Sequence, residues 1–534
     1  MKNILPVLSI VPLLACAEIP HRAETPTMGW SSWNTYRVNI SADLIMHQAD
    51  LLKSLGLDKC GYTYINIDDG FFGGRDANGR LKPHPKRFPD GLTPVVEHIH
   101  SLGLKAGIYS DGGENTCGCY WDKDELGKGV GFWQHDLQDA DFFFKDHDFD
   151  FIKIDFCGGQ AYDNTAHEDM DERERYTAIR QAIDSVKKGV RINVCRWDYP
   201  GTWVREIGSS WRISHDINPT WGCLKDIIKQ SLYLHPYAAP GAYNDMDMLE
   251  VGRGLSPDED YTHFALWCMM SSPLLIGCDL QNLVDKPDLY NLLSNRRLIA
   301  LDQDTAAPQS YVAKREGDAL VLVRDVKVPF GLERAFALVN LSDKDHRLSF
   351  DFADIDLGGE TFAITDLKDG AERTVSGKNF AATLRPHETQ VYIVKAPERL
   401  ERRIYEAEDA FLTSYQELHD AEKAHTGTYV PMSEASGGMV AGFLGGRADN
   451  DLVWEQVWSK NGGSYSATIH TFAEEDGELS IDVNGIPCKM AKVSPAKASV
   501  VFDVTLRPGI NRIRIHNDSA PLPPIDRMDI APQR

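Results

Sequence analysis

Between Thr25 and about Asn282, short apolar runs alternate with amphipathic or loop stretches, eight times over. The runs are TMGWSSW, YTYINIDDG, KAGIYSD, FDFIKIDF, RINVCRW, WRISHDI, GAYNDMDML and SPLLIGCDL. Strands alternating with helices imply a parallel sheet. Eight such units in roughly 260 residues imply a closed (β/α)8 barrel. The competing open, doubly wound sheet wants a glycine-rich phosphate loop after its first strand, and GWSSWNTY is not one. Between the first two runs, SADLIMHQADLLKSLG reads as a helix capped by Ser41 and stopped by Gly56. A second helix is expected from Pro94 to Leu102.

Most of the runs end in polar residues. Asp68 and Asp69 end the second, Tyr109 and Asp111 the third, and Asp155 the fourth. Arg196 and Asp198 end the fifth, Asp216 the sixth, and Asp245 with Asp247 the seventh. In a barrel these tips meet at one face, where active sites sit. Any one acid after a strand also fits a helix cap. Recurrence from strand to strand favours a shared site.

At 534 residues the chain exceeds one ordinary domain. After about Ala306, DALVLVRDV, RAFALVNLS, HRLSFDF, TFAITDL and TQVYIV read as an antiparallel β domain over residues 304–396. KAPERLERR reads as a linker, and residues 403–532 as a further β-sandwich. The catalytic barrel is assigned to residues 25–303. Residues 1–17, MKNILPVLSIVPLLACA, have the form of an export signal, too short to span a bilayer. Cleavage after Ala17 and a lipobox ending in Cys16 both fit, so periplasmic, secreted and lipid-anchored destinations stay open. Export permits disulfides among the ten cysteines.

The net charge of -23 makes nucleic acid and anionic membranes poor partners. No tandem Cys-x-x-Cys pairs and no His-Glu-x-x-His occur, which argues against zinc. Clustered carboxylates suit sugar chemistry, and Trp30, Trp33, Trp121, Trp197 and Trp211 near the tips could pack on a pyranose face. Hydrolysis with retention needs two carboxyls flanking one bond, a nucleophile and an acid/base.

TPTMGWSSWN, INIDDGFF, AGIYSDGGENTC, FIKIDFCGG, SWRISHDI and YNDMDMLEVG, in that order, resemble glycoside hydrolase family 27, the α-galactosidase and α-N-acetylgalactosaminidase clan. The resemblance covers roughly residues 25–395 and implies a retaining exo-α-galactosidase needing no catalytic cofactor. It makes Asp155 the nucleophile, with Lys153 keeping it ionised, and Asp216 the acid/base, with Arg212 beside it. Asp216 is then expected to hold its proton more tightly than Asp155. Asp68 and Asp69 match the pair that grips the sugar's O4 and O6 hydroxyls, and Trp33, Tyr109, Asp247 and Met248 match other wall positions. Cys117 and Cys157 match a disulfide pair lining the site. Gly158 and Gly159 are expected to leave room for substrate.

One position departs from the family. Where its galactosidases read Cys-Glu-Trp on the fifth strand, this chain has Arg196. A guanidinium cannot accept a hydrogen bond from a C2 hydroxyl, and it fills the space an acetamide needs. Arg196 is expected to pair with Asp198 or another neighbour, or Asp198 to replace the missing acid. A β-L-arabinopyranoside or an α-glucan is the alternative substrate within the family. Asp69, unenlarged, favours a sugar with a full hydroxymethyl group. A non-catalytic glycan-binding protein is disfavoured because Asp155 and Asp216 are both present. The C-terminal part, YEAEDAFL to APLPPIDRMDI, resembles a carbohydrate-binding module of the thirty-fifth family. That resemblance implies calcium held by Glu406, Glu408 and Asp526.

Overall fold

The structure, a computed structural model, describes residues 25–160, 164–416 and 426–533. The export-signal reading, with Cys16, lies outside the described residues. All eight expected strands are present: β1 (Met28–Ser31), β2 (Tyr64–Asn66), β3 (Lys105–Asp111), β4 (Phe151–Asp155), β5 (Arg191–Val194), β6 (Ser210–Arg212), β7 (Tyr243–Asp245) and β8 (Leu274–Ile276). They form one parallel sheet in which β8 pairs with β1 and the rest follow in chain order. Leu249, just past β7, closes the ring: its N–H donates to Leu275 O at 2.8 Å and its carbonyl accepts from Gly277 N at 3.0 Å. The barrel is therefore shut, and all its tips share one mouth.

Local chemistry accounts for the helices that brace it. Ser41 Oγ accepts from Leu44 N at 3.2 Å at the start of Ala42–Ser54, and Gly56 leaves that helix at φ 69°. The helix Thr93–Ser101 opens with proline in its first turn, where a missing N–H costs nothing. Within β4 the two-residue period turns Ile152 and Ile154 outward to the helices, and Lys153 and Asp155 toward the barrel axis.

The β domain has a six-stranded sheet ordered Tyr311–Glu316, Ala319–Asp325, Glu333–Asn340, Thr389–Lys395, Thr361–Asp366, Glu372–Ser376. A two-stranded sheet, His346–Asp351 with Asn379–Leu384, completes a core around Phe336, Phe350, Phe362 and Phe380. Beyond it two antiparallel sheets, of six and five strands, build the C-terminal sandwich.

The linker reading of KAPERLERR is corrected by burial. Glu398–Arg399 pairs as a strand with Leu357–Gly358. Arg399 is buried and ion-paired to Asp325 at 3.0 Å and Asp356 at 3.6 Å; Arg334 joins the same two acids, each at 2.9 Å. Arg402 pairs with Asp409 of the sandwich. The basic run is thus a junction rather than a solvated tether.

Arg324 fastens the β domain to the barrel. Fully buried, it donates to Ser271 Oγ and Asp304 O, each at 2.7 Å, and to Met269 O at 3.3 Å. Arg324→Met should leave those acceptors unsatisfied and cost roughly 2–4 kcal/mol. The expected result is a clearly lower thermal midpoint, followed by circular dichroism; an unchanged midpoint would show that the junction is held by other contacts.

Candidate active site

A cavity of about 720 Å³ opens at the C-terminal mouth of the barrel. Its wall brings together Trp33, Cys117, Lys153, Asp155, Cys157, Arg196 and Asp216 from the residues expected there. Asp68, Arg212, Asp247 and Met248 form a deeper floor, which Lys153 joins to the cavity above.

Asp155 is buried at the tip of β4, in register with Asp111 of β3. Lys153 Nζ lies 3.7 Å from Asp155 Oδ2 and 3.3 Å from Asp68 Oδ2. Burial pushes the Asp155 carboxyl up to about 6, against the pull of Lys153. On the other side, Arg212 bridges Asp216 at 3.1 Å and Asp247 at 2.8 Å, and donates to Ser214 O at 3.0 Å. Asp247, at φ 78°, also accepts from Ile217 N at 2.8 Å, so it fixes both the guanidinium and the backbone beside Asp216.

The expected order of acidities is reversed here. The Asp216 side chain is 62% exposed. Despite the opposing effect of desolvation, Arg212 and then Lys153 hold its carboxyl below the usual carboxylate range. A sugar entering the cavity displaces the solvent at this face, which moves the carboxyl upward.

Asp69 is buried, with Oδ2 accepting from Gly118 N and Oδ1 from Gly70 N, both at 2.7 Å. Burial raises it to about 7. It anchors the short helix Cys117–Trp121 rather than facing the cavity. Tyr109 is buried too, its hydroxyl accepting from Cys117 N at 3.2 Å and its ring 5.3 Å from Lys153 Nζ. The Cys117–Cys157 disulfide is present, with Cα atoms 5.4 Å apart.

The glycines after Cys157 serve a different purpose from the one expected. A Cβ on Gly158 would lie 2.4 Å from Asn115 N, and one on Gly113 would lie 1.9 Å from Gly158 C. They let the loops after β3 and β4 pass backbone against backbone. Asp111 seals that crossing, accepting from Gly113 N at 2.7 Å and Gly158 N at 3.1 Å.

The tryptophans divide. Trp30 and Trp211 are fully buried, their indole N–H groups satisfied by Cys278 O at 2.9 Å and Asn244 Oδ1 at 2.8 Å, so neither is a sugar platform. Trp33, Trp121 and Trp197 line the cavity, and Trp121 is 73% exposed at its rim.

Arg196 projects into the cavity wall and pairs with Glu172, at the start of the helix Glu172–Val186. Asp198 lies close enough to feel its charge, although burial still raises that carboxyl to about 6. Sequence reasoning did not supply Glu172, which stands 24 residues away on another element. It also missed Arg37, which lines the rim, binds Asp122 at 2.7 Å and stacks 4.7 Å over Trp33.

Two carboxylates in one aromatic-walled cleft, each with its own cation at the mouth of a parallel barrel, define a glycoside hydrolase. The comparisons narrow the class. A family model described as "Alpha galactosidase A" matches residues 25–304, and one described as "Alpha galactosidase C-terminal beta sandwich domain" matches residues 331–394. The chain belongs to glycoside hydrolase family 27, the α-galactosidase family. It is 34% identical over 343 residues to "Alpha-galactosidase A" of Cellvibrio japonicus, covering 62% of this chain and 79% of that one. It is 36% identical over 376 residues to "Alpha-galactosidase 2" of Arabidopsis thaliana, covering 69% and 89%. The crystal structure of α-galactosidase I from Mortierella vinacea superposes with a TM-score of 0.62 at 25% identity, covering 71% and 98%. Residues beyond 394 lie outside both family matches.

With Asp155 as the nucleophile and Asp216 as the acid, the productive free enzyme has Asp155 ionised and Asp216 protonated, the minor arrangement at these acidities, so kcat/KM should fall as pH rises through about 6. In Lys153→Met the neighbouring cation is lost and this limb should move to higher pH. pH–rate profiles of both proteins test it; an unmoved limb would remove Lys153 from that role.

Proposed function

We propose that the protein is a retaining exo-α-galactosidase that removes terminal α-galactosyl groups from oligosaccharides or polysaccharides. The observation that carries this reading is the shared cavity of Asp155 and Asp216 within the family's barrel. Asp155 attacks the anomeric carbon while Asp216 gives its proton to the departing glycosidic oxygen. The glycosyl ester then forms at Asp155, and Asp216, now a carboxylate, takes a proton from the water that attacks the same carbon. Free sugar leaves and both carboxyls return to their starting states. Lys153 stabilises the Asp155 carboxylate as it is regenerated, and Arg212 holds Asp216 in reach.

Nitrophenyl glycosides of α-galactose, β-L-arabinopyranose and α-glucose, assayed side by side, test the glycone. Turnover of the galactoside should exceed the others by at least about tenfold. Preference for either other sugar would move the assignment within the family, and turnover of none would sink it. Asp155→Ala should lose roughly 10³-fold or more of kcat and regain turnover with azide, giving the inverted glycosyl azide.

For the residues beyond about 400 we propose a carbohydrate-binding module with structural calcium, on a chain directed to export by residues 1–17. Glu408 supports the cation: it is buried, Oε2 has no hydrogen-bond partner, and burial followed by Asp409, Glu406 and Asp526 pushes its carboxyl up to about 9. Ser436 links Glu406 to Asp526, whose Oδ1 accepts its N–H at 2.9 Å. An all-oxygen set of crowded acids suits calcium. Chelation with EDTA should lower the thermal midpoint, added calcium should restore it, and galactosidase activity below that midpoint should not change. A midpoint indifferent to both additions would remove the cation.

A further inference from the structure

The segment that carries Arg196 and Trp197 into the cleft is also the segment on which the C-terminal module rests. Three residues past Arg196, the buried Tyr199 ring stacks on Tyr415 of the module, with centroids 5.2 Å apart and planes at 17°. Thr202 Oγ1 then donates to Thr413 O at 3.2 Å. Tyr237, from the loop before β7, packs against both tyrosines at 4.8 Å and 5.2 Å. Its hydroxyl accepts from Leu412 N at 3.1 Å and meets the Tyr429 hydroxyl at 2.8 Å. Between the catalytic side chains and this clamp sits Trp197, held at φ 67°. A bulky residue keeps a left-handed backbone only where its surroundings over-determine it.

We propose that the C-terminal module braces one wall of the catalytic cleft from behind: Tyr415 clamps residues 195–202 and thereby sets where Arg196 and Trp197 meet the sugar. This rests on the reading of the cleft as a galactosidase site. Tyr415 is a positioning residue, since it acts through Tyr199 and not on the substrate. Glu172 holds the Arg196 guanidinium from one side, and the clamp fixes its backbone from the other. The chemistry at Asp155 and Asp216 is mounted on other strands, so loss of the clamp should loosen binding and leave bond cleavage largely intact.

The test uses the full chain with three substitutions. Tyr415→Ala removes the clamp, and Tyr415→Leu keeps apolar bulk without the stacked ring. Phe330→Ala loosens the module at a different contact, where Phe330 stacks on Trp458 at 5.6 Å, away from the cleft. KM for nitrophenyl α-galactoside should rise roughly three- to tenfold in both Tyr415 variants, with kcat within about twofold. Phe330→Ala should lower the thermal midpoint and leave KM alone. If Tyr415→Ala does not fold, Tyr415→Leu alone decides. Unchanged KM in a folded Tyr415 variant overturns the proposal, and so does an equal rise in Phe330→Ala, which would show that attachment alone matters. A wild-type protein inactive on every galactoside instead refutes the parent reading, and is seen before any variant is made.

Discussion

The site depends on one ammonium group placed among acids. Lys153 stands inside the barrel with Asp68 on one side and Asp155 on the other. Removing carboxylates from water disfavours their charge, and Asp69, Asp111 and Asp155 show that pressure. Asp111 is held far above its ordinary range by burial and by Asp155. Asp155 remains close to neutrality because a cation two residues earlier shares its face of the strand. On the opposite rim Arg212 does the same for Asp216 and Asp247. The proposed catalytic pair sits in two acid–cation assemblies, on β4 and just past β6, and Lys153 couples them, since its charge also holds Asp216 down.

The barrel was legible because a strand buried on both faces must be apolar until it reaches the mouth. The runs are mostly apolar up to that point, with Lys153 in β4 and Asn193 in β5 as exceptions, and the polar ends of most of them marked the site. What could not be read was direction. Trp30 and Trp211 lie near strand tips as Trp33 and Trp197 do, but their N–H groups find partners inside, and composition does not reveal which way an indole turns. Glu172 was invisible for a related reason: its partnership with Arg196 crosses from a helix start to a strand end. In the β domain the strands Tyr311–Glu316, Glu372–Ser376 and Asn379–Leu384 escaped because much of their surface faces solvent and dilutes the apolar alternation. KAPERLERR misled in the other direction, since six charged residues read as solvated when two of the arginines are sunk in ion pairs.

Those buried arginines change how the three bodies of the chain relate. Arg324 ties barrel to β domain through carbonyls, Arg399 closes the β domain on itself, and Arg402 reaches the sandwich. Guanidinium groups suit this task because one planar fork can satisfy several acceptors at once. With the aromatic contacts added, the sandwich is packed against the barrel over tyrosines rather than hung from a tether.

The disulfide has a consequence for how the protein is made. Cys117 has a rival two positions away, the half-buried thiol of Cys119, for bonding to Cys157. Cys195, Cys223, Cys268 and Cys278 are sealed in the interior and drop out of that competition once the barrel forms. Oxidation after the barrel has formed therefore leaves Cys119 as the near competitor at the cleft. A barrel formed in a reducing compartment would lack the staple between the loops after β3 and β4, so preparations of equal purity would differ in specific activity wherever that bridge shapes the cleft wall.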